Sequence, residues 1–185
     1  MAESEAIACL QQGDIEGLAW LVEQYQVRAV RAAFLVLHDE GMAREVVQTA
    51  FLRLYDRIGQ FDEERPFAPW FFRIVVNDAL KAIRHHKRLD SWEDLIQAGE
   101  TALQAHLPTP EESLSLALQR EAVWQALNQL TPEQRAAIVM RYYLDMGERE
   151  MADQLSVAPG TVKWRLHQAR QRLRQLLRGE QLEVK

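Results

Sequence analysis

The sequence predicts an all-α fold: two small helical domains joined by an acidic linker, the second ending in a helix-turn-helix. Three observations predict it. Apolar residues recur at spacings of three and four through most of the chain, the period of an amphipathic helix. The one β-branched run, Ile74-Val75-Val76, has helical flanks and no partner strand elsewhere, so it is read as helix despite its strand propensity. Charge is also unevenly spread: residues 1–88 carry a net −2, 89–118 a net −6 with no lysine or arginine, and 119–185 a net +3.

Ile7 and Leu10 begin the first helical pattern. Asp14, after Gly13, is placed to cap a second helix carrying Leu18, Leu21, Val22 and Tyr25 and running through Val30, Phe34 and Leu37. The pattern stops near His38–Gly41. A third helix, 43–58, carries Val46, Val47, Ala50, Phe51, Leu54 and Ile58, and Gly59 ends it. A loop then leads to Trp70-Phe71-Phe72 and a basic helix containing Arg73, Lys81, Arg84, Lys87 and Arg88.

Residues 89–118 are acidic and weakly periodic, and read as a linker. At Thr109-Pro110-Glu111-Glu112 the chain restarts helix: Thr caps, Pro takes the first helical position, Glu reaches back. The same device recurs at Thr131-Pro132-Glu133-Gln134. One helix carries Leu114, Leu118, Val123, Leu127 and Leu130, and another Ile138, Val139, Met140 and Tyr142.

In the last helix Val162, Leu166, Ala169, Leu173 and Leu176 form one stripe, against which Met151, Ala152 and Leu155 can pack. Ser156-Val157-Ala158-Pro159-Gly160 interrupts the helical pattern and supplies the turn. At about 100° per residue, Trp164, His167, Gln168 and Gln171 fall opposite the stripe, with Lys163 and Arg174 on its flank. Residues 163–178 hold six basic side chains and no acid. A supported helix with a polar, cationic outer face suits the major groove, where base edges present distinguishable donors and acceptors.

Composition narrows the function. The total charge of −5 is unusual for a DNA binder, but local fields steer a polyanion more than the total does. No apolar run reaches the roughly 18 residues of a membrane span. The acidic start lacks the basic and apolar regions of a secretory signal, so a soluble, cytoplasmic protein is expected. Cys9 is the single cysteine, which excludes an intrachain disulfide and a Cys-rich zinc site. His85-His86 sits in a basic run, His38, His106 and His167 lack metal-ligand spacing, and no P-loop, GxGxxG or nucleophile elbow is present. Neither an enzyme nor a cofactor is expected.

Two constellations keep two readings each. Trp70, Phe71 and Phe72 beside Asn77 and the cations are either stacking platforms for unpaired bases or core beside a solvated face. Glu45, Gln48, Arg53 and Arg57 are either a docking face or ordinary solvated positions. Trp164 stands apart, because an outward Trp generally has a partner.

The four stretches AREVVQTAFLRLYDRIGQFD, FAPWFFRIVVNDALKAIRHHKR, LTPEQRAAIVMRYYLDM and APGTVKWRLHQARQRLRQLL occur in this order. Together they resemble the signatures of the extracytoplasmic-function, or group-four, sigma factors of bacterial RNA polymerase. The resemblance implies a region 2-like domain at 1–88, a linker at 89–118, a region 4-like domain at 119–178 and a tail at 179–185. It implies that Glu45, Val47, Gln48 and Phe51 dock on core polymerase. Trp70, Phe72 and Arg73 would lie where the promoter opens, and Asn77, Asp78 and Lys81 would border the pocket for a flipped minus-ten base. Lys163, Trp164, Arg165, His167, Gln168 and Arg170 would meet the minus-thirty-five element, with Thr161 near phosphate and Arg141 and Tyr142 on the supporting helix. Promoter DNA and core polymerase are the implied partners, and an anti-sigma factor is a further one.

Glu148 stands where the family often has an aromatic, Trp164 where it has a small residue, and Gln168 where Arg is frequent. These departures bear on the promoter sequence rather than on the class. A stand-alone helix-turn-helix regulator with a helical sensor domain explains 119–178 but leaves Trp70–Arg88 without a task. A helical adaptor leaves the cationic segments unexplained.

Overall fold

The computed structural model describes the backbone of residues 1–93 and 114–183, and the side chains of 1–86 and 119–177. Within the described residues the secondary structure is helical, with no strand. The chain divides into two compact units, Met1–Asp90 and Ser91–Lys185.

The first unit holds α1 (Glu3–Gln11), α2 (Ile15–Leu37), α3 (Glu40–Arg57), a 3-10 turn (Ile58–Gln60) and α4 (Phe67–Glu93). Side-chain caps set two of the starts. The Asp14 carboxylate accepts from the Glu16 N–H at 2.9 Å, and Asp39 accepts from the Met42 N–H at 2.7 Å, each satisfying an amide the helix cannot. His38 closes α2 in the left-handed region at φ 60°. Where α1 crosses α2 the backbones nearly touch: a Cβ on Gly17 would lie 2.2 Å from the Ala6 carbonyl oxygen. Only glycine permits that approach. α2 packs on α3, and Ala29, Ala32 and Ala33 on the first and Ala43, Val47 and Ala50 on the second are all buried; small residues of this kind allow close helix packing.

Two boundaries differ from expectation. α4 begins at Phe67 and continues to Glu93, past the expected linker start at 89, because residues 70–93 contain neither Gly nor Pro to stop it. α3 starts at Glu40, three residues early, because the Asp39 cap initiates it.

The second unit holds α5 (Leu114–Asn128), α6 (Pro132–Ile138), a π-helical turn (Val139–Tyr143), α7 (Glu148–Leu155) and α8 (Pro159–Glu183). The expected cap at 109–112 lies outside the described residues. At Thr131 the expected cap forms, with Gln134 reaching back to close it. Thr131 Oγ1 accepts from the Gln134 N–H at 3.3 Å, and Gln134 Oε1 accepts from the Thr131 N–H at 3.1 Å. The helix expected through Tyr142 widens to π geometry, with the Leu144 N–H reaching the Val139 carbonyl at 3.0 Å. α8 packs against α5, α6 and α7. No helix among the described residues is long and apolar enough to cross a membrane.

Candidate nucleic-acid interface

Three residues make the turn between α7 and α8. Ser156 takes a left-handed conformation (φ 53°, ψ 46°), and the Val157 N–H returns to the Ala152 carbonyl at 3.0 Å, which satisfies the end of α7. The turn is therefore Ser156–Ala158; Pro159 and Gly160 are the first residues of α8 and not part of the break. Proline suits that place, since a first-turn residue has no intrahelical N–H bond to lose.

Met151 and Ala152 of α7 and Val162, Leu166 and Ala169 of α8 are buried together in this unit, which fixes the rotation of α8. Lys163, Trp164 and His167 consequently stand in solvent, and Thr161, Arg165, Gln168 and Arg170 are half-buried on the flanks. The Trp164 side chain is 58% exposed, a large apolar surface left in water on the cationic face. Arg170 bends back so that its Nε donates to the Leu166 carbonyl at 3.1 Å. On the turn preceding α7, Arg141 Nη1 donates to the Met146 carbonyl at 2.9 Å, while Tyr142 is exposed.

In the first unit the aromatics behave differently. Phe67, Phe71 and Phe72 are at most 1% exposed. They surround Tyr25 at ring-centroid distances of 5.3, 5.9 and 6.1 Å, and Phe71 meets Phe51 at 4.7 Å. The Arg28 guanidinium covers the Phe72 ring at 5.0 Å, a cation–π contact. Phe72 is thus a core residue and cannot stack on a base. Trp70 is half-buried against Phe61 at 5.2 Å. The Tyr25 hydroxyl donates to the Glu3 carboxylate. Burial, then this hydrogen bond, raises its pKa above that of a free phenol.

The outward positions of α4 make one ridge. Trp70, Arg73, Asn77, Lys81 and Arg84 follow at spacings of three and four; Arg73, Lys81 and Arg84 are exposed, and Trp70 and Asn77 are half-buried. Asp78, expected on this face, lies behind it and is buried. Its carboxylate accepts from Arg53 of α3, and the Lys81 ammonium lies 3.6 Å away. The second carboxylate oxygen is buried with no hydrogen-bond partner. Asp78 therefore ties α3 to α4 and holds Lys81 from beneath, and does not reach a ligand itself.

α3 corrects two further expectations. Val47 and Phe51 belong to its inward stripe with Ala43, Val46, Ala50 and Leu54, all buried, and cannot present a docking surface. Glu45 and Gln48 are exposed. They continue at spacings of four and three to Leu52, 60% exposed, and Tyr55, 44% exposed. Leu52 and Tyr55 lie off the apolar stripe that the sequence predicts for this helix. The available signal is the offset of Leu52 by one residue from the buried Phe51.

Comparison with known proteins accounts for both units. Residues 21–89 match the family model described as sigma-70 region 2, and residues 120–173 match sigma-70 region 4. The chain is similar to the ECF RNA polymerase sigma factor SigW of Bacillus subtilis, 28% identical over 96% of this chain and 98% of that one. It is 31% identical to the ECF sigma factor SigL of Mycobacterium tuberculosis over 83% of this chain and 85% of that one. Its fold is similar to that of the sigma factor RpoE of Bartonella quintana, solved with the anti-sigma factor NepR. That match has a TM-score of 0.69 at 23% identity and covers 85% of this chain and 96% of that one. A second similar fold is CnrH, solved with the cytosolic domain of CnrY, with a TM-score of 0.66 at 23% identity over 97% of this chain and 99% of that one. With its two helical units, its helix-turn-helix and these relatives, the chain belongs to the extracytoplasmic-function sigma factors, which direct RNA polymerase to initiate transcription at particular promoters.

Proposed function

We propose a division of labour among three surfaces. α8 lies in the major groove of the minus-thirty-five element. There Lys163, Trp164, His167 and Gln168 face base edges, while Thr161, Arg165 and Arg170 serve the backbone. The α4 ridge of Trp70, Arg73, Asn77 and Lys81 receives the opened minus-ten element, with Phe72 and Asp78 supporting it from inside. Glu45, Gln48, Leu52 and Tyr55 on α3 dock on core polymerase. The protein acts by binding and by holding DNA open, not by chemistry of its own, in the cytoplasm where polymerase and promoter meet. The NepR-bound RpoE relative supports an anti-sigma partner as well.

The observation that carries the reading is the outer face of α8, where a 58%-exposed Trp164 stands beside Lys163 and Arg165, neither of which is ion-paired among the described residues. The test is to assemble holoenzyme with Lys163→Ala or Trp164→Ala. Each variant should weaken promoter binding about tenfold while its co-purification with core polymerase stays at the wild-type level. Loss of core association instead would reassign α8 to polymerase docking.

A further inference from the structure

Beside the outer face of α8 lies a cavity of about 310 Å³, lined by Gln129, Gln134, Gln168, Gln171, Arg172 and Gln175. Among the described residues, no carboxylate and no apolar side chain lines it. The hydrogen bonding already made inside the protein decides what the notch offers. Gln129 Oε1 accepts from Arg172 Nη2 at 2.9 Å. Gln134 Oε1 is committed to the Thr131 N–H. With both carbonyl oxygens engaged, these amides offer their NH₂ groups, beside the remaining N–H donors of a guanidinium that Gln129 holds in place. A donor-rich notch in which Arg172 carries the one positive charge among the described lining residues suits a singly charged, oxygen-bearing anion.

Position identifies the source of that anion. An α-helix rises about 1.5 Å per residue, so Arg172 lies about 12 Å along the axis from Trp164. The major groove is about 12 Å wide. With Trp164 against the bases, Arg172 arrives at the groove's edge, where phosphates run. Gln168 belongs to both surfaces, making the notch continuous with the reading face.

We propose that Gln129, Gln134, Gln171, Arg172 and Gln175 form a subsite for one backbone phosphodiester flanking the minus-thirty-five element. Two of these residues come from outside the helix-turn-helix. The subsite rests on the proposed reading of α8. It adds affinity without sequence preference, because a phosphate carries no base identity.

The test measures holoenzyme binding to two promoters that differ in the minus-thirty-five sequence, across a salt series. Arg172→Gln should weaken both about tenfold and by the same factor. It should also reduce the slope of log affinity against log salt by about 0.9, one phosphate contact's worth. Arg172→Lys should keep the slope and lose affinity. A promoter with one phosphate replaced by neutral methylphosphonate should weaken the wild type at one flanking position and leave Arg172→Gln unaffected there. Arg172 is exposed, so these variants keep the core. An unchanged slope, unequal losses on the two promoters, or a methylphosphonate effect that both proteins share would overturn the subsite. Failure of wild-type holoenzyme to protect the minus-thirty-five element would instead overturn the reading of α8, and the two failures are distinct.

Discussion

α4 and α8 both set aromatic side chains among cations, yet they resolve the pairing in opposite ways. On α8 the aromatic is outside: Trp164 lies opposite Val162, Leu166 and Ala169 and is exposed. On α4 three of the four described aromatics are inside: Phe67, Phe71 and Phe72 share a face with Val75, Val76 and Ala79 and are buried around Tyr25. An aromatic near lysines is therefore not in itself a stacking platform. Its angle from the buried stripe decides, and an offset of a single residue, about 100° of rotation, separates the alternatives.

Paired truncations break or sharpen that comparison most sharply. Phe72→Ala should cost about 3–5 kcal/mol of stability, read from the urea midpoint of the first unit's unfolding. Trp164→Ala should change stability by less than about 0.5 kcal/mol while impairing promoter binding. Equal stability losses would mean that Trp164 is also core. Next in size is the tie behind the α4 ridge. Asp78→Ala strands Arg53, whose side chain is 41% exposed, so water recovers part of the loss; a cost of about 2 kcal/mol is expected in thermal melts.

Leu52→Asp probes the outward face of α3. It should leave the melting temperature unchanged and weaken core association about tenfold; co-purification with core at the wild-type level would remove Leu52 from the docking surface. The smallest effect is on pH. The Tyr25 pKa is raised in the fold, so the neutral phenol is the stabilising form. Its contribution is complete below the unfolded pKa of about 10 and is lost as pH rises through the folded value. Stability should fall above pH about 10 by no more than about 1.4 kcal/mol per pH unit from this group, and Tyr25→Phe should remove that part of the fall.

Much of the fold was legible because periodicity and caps are local. Asp14 and Thr131 act as caps, Ile74–Val76 is helical, and of the α8 stripe Val162, Leu166 and Ala169 are buried while Leu173 and Leu176 are half-buried. The candidate sites were legible in proportion to how far helical phase was followed. Projecting α8 from its stripe puts Trp164, His167, Gln168 and Gln171 outside with Lys163 on the flank, and all of these but the half-buried Gln168 are exposed. On α3 and α4 the family motifs mix faces: Val47, Phe51, Phe72 and Asp78 are buried neighbours of exposed positions. Long-range pairings had no local signal. Arg53 with Asp78, Arg28 over Phe72 and Gln129 with Arg172 join residues 25, 44 and 43 positions apart. The close crossing at Gly17 was equally silent, since a glycine reports freedom of the chain but not the carbonyl waiting opposite it.

The most direct test of the division of labour compares initiation by holoenzyme from one promoter in two forms, fully duplex and pre-opened by mismatches across the minus-ten element. Arg73→Ala should be impaired on the duplex and recover on the pre-opened template, because α4 acts on opening. Trp164→Ala should be impaired on both, because α8 reads DNA that stays paired. Recovery of Trp164→Ala on the pre-opened template, with Arg73→Ala still impaired there, would contradict the assignment of the two faces.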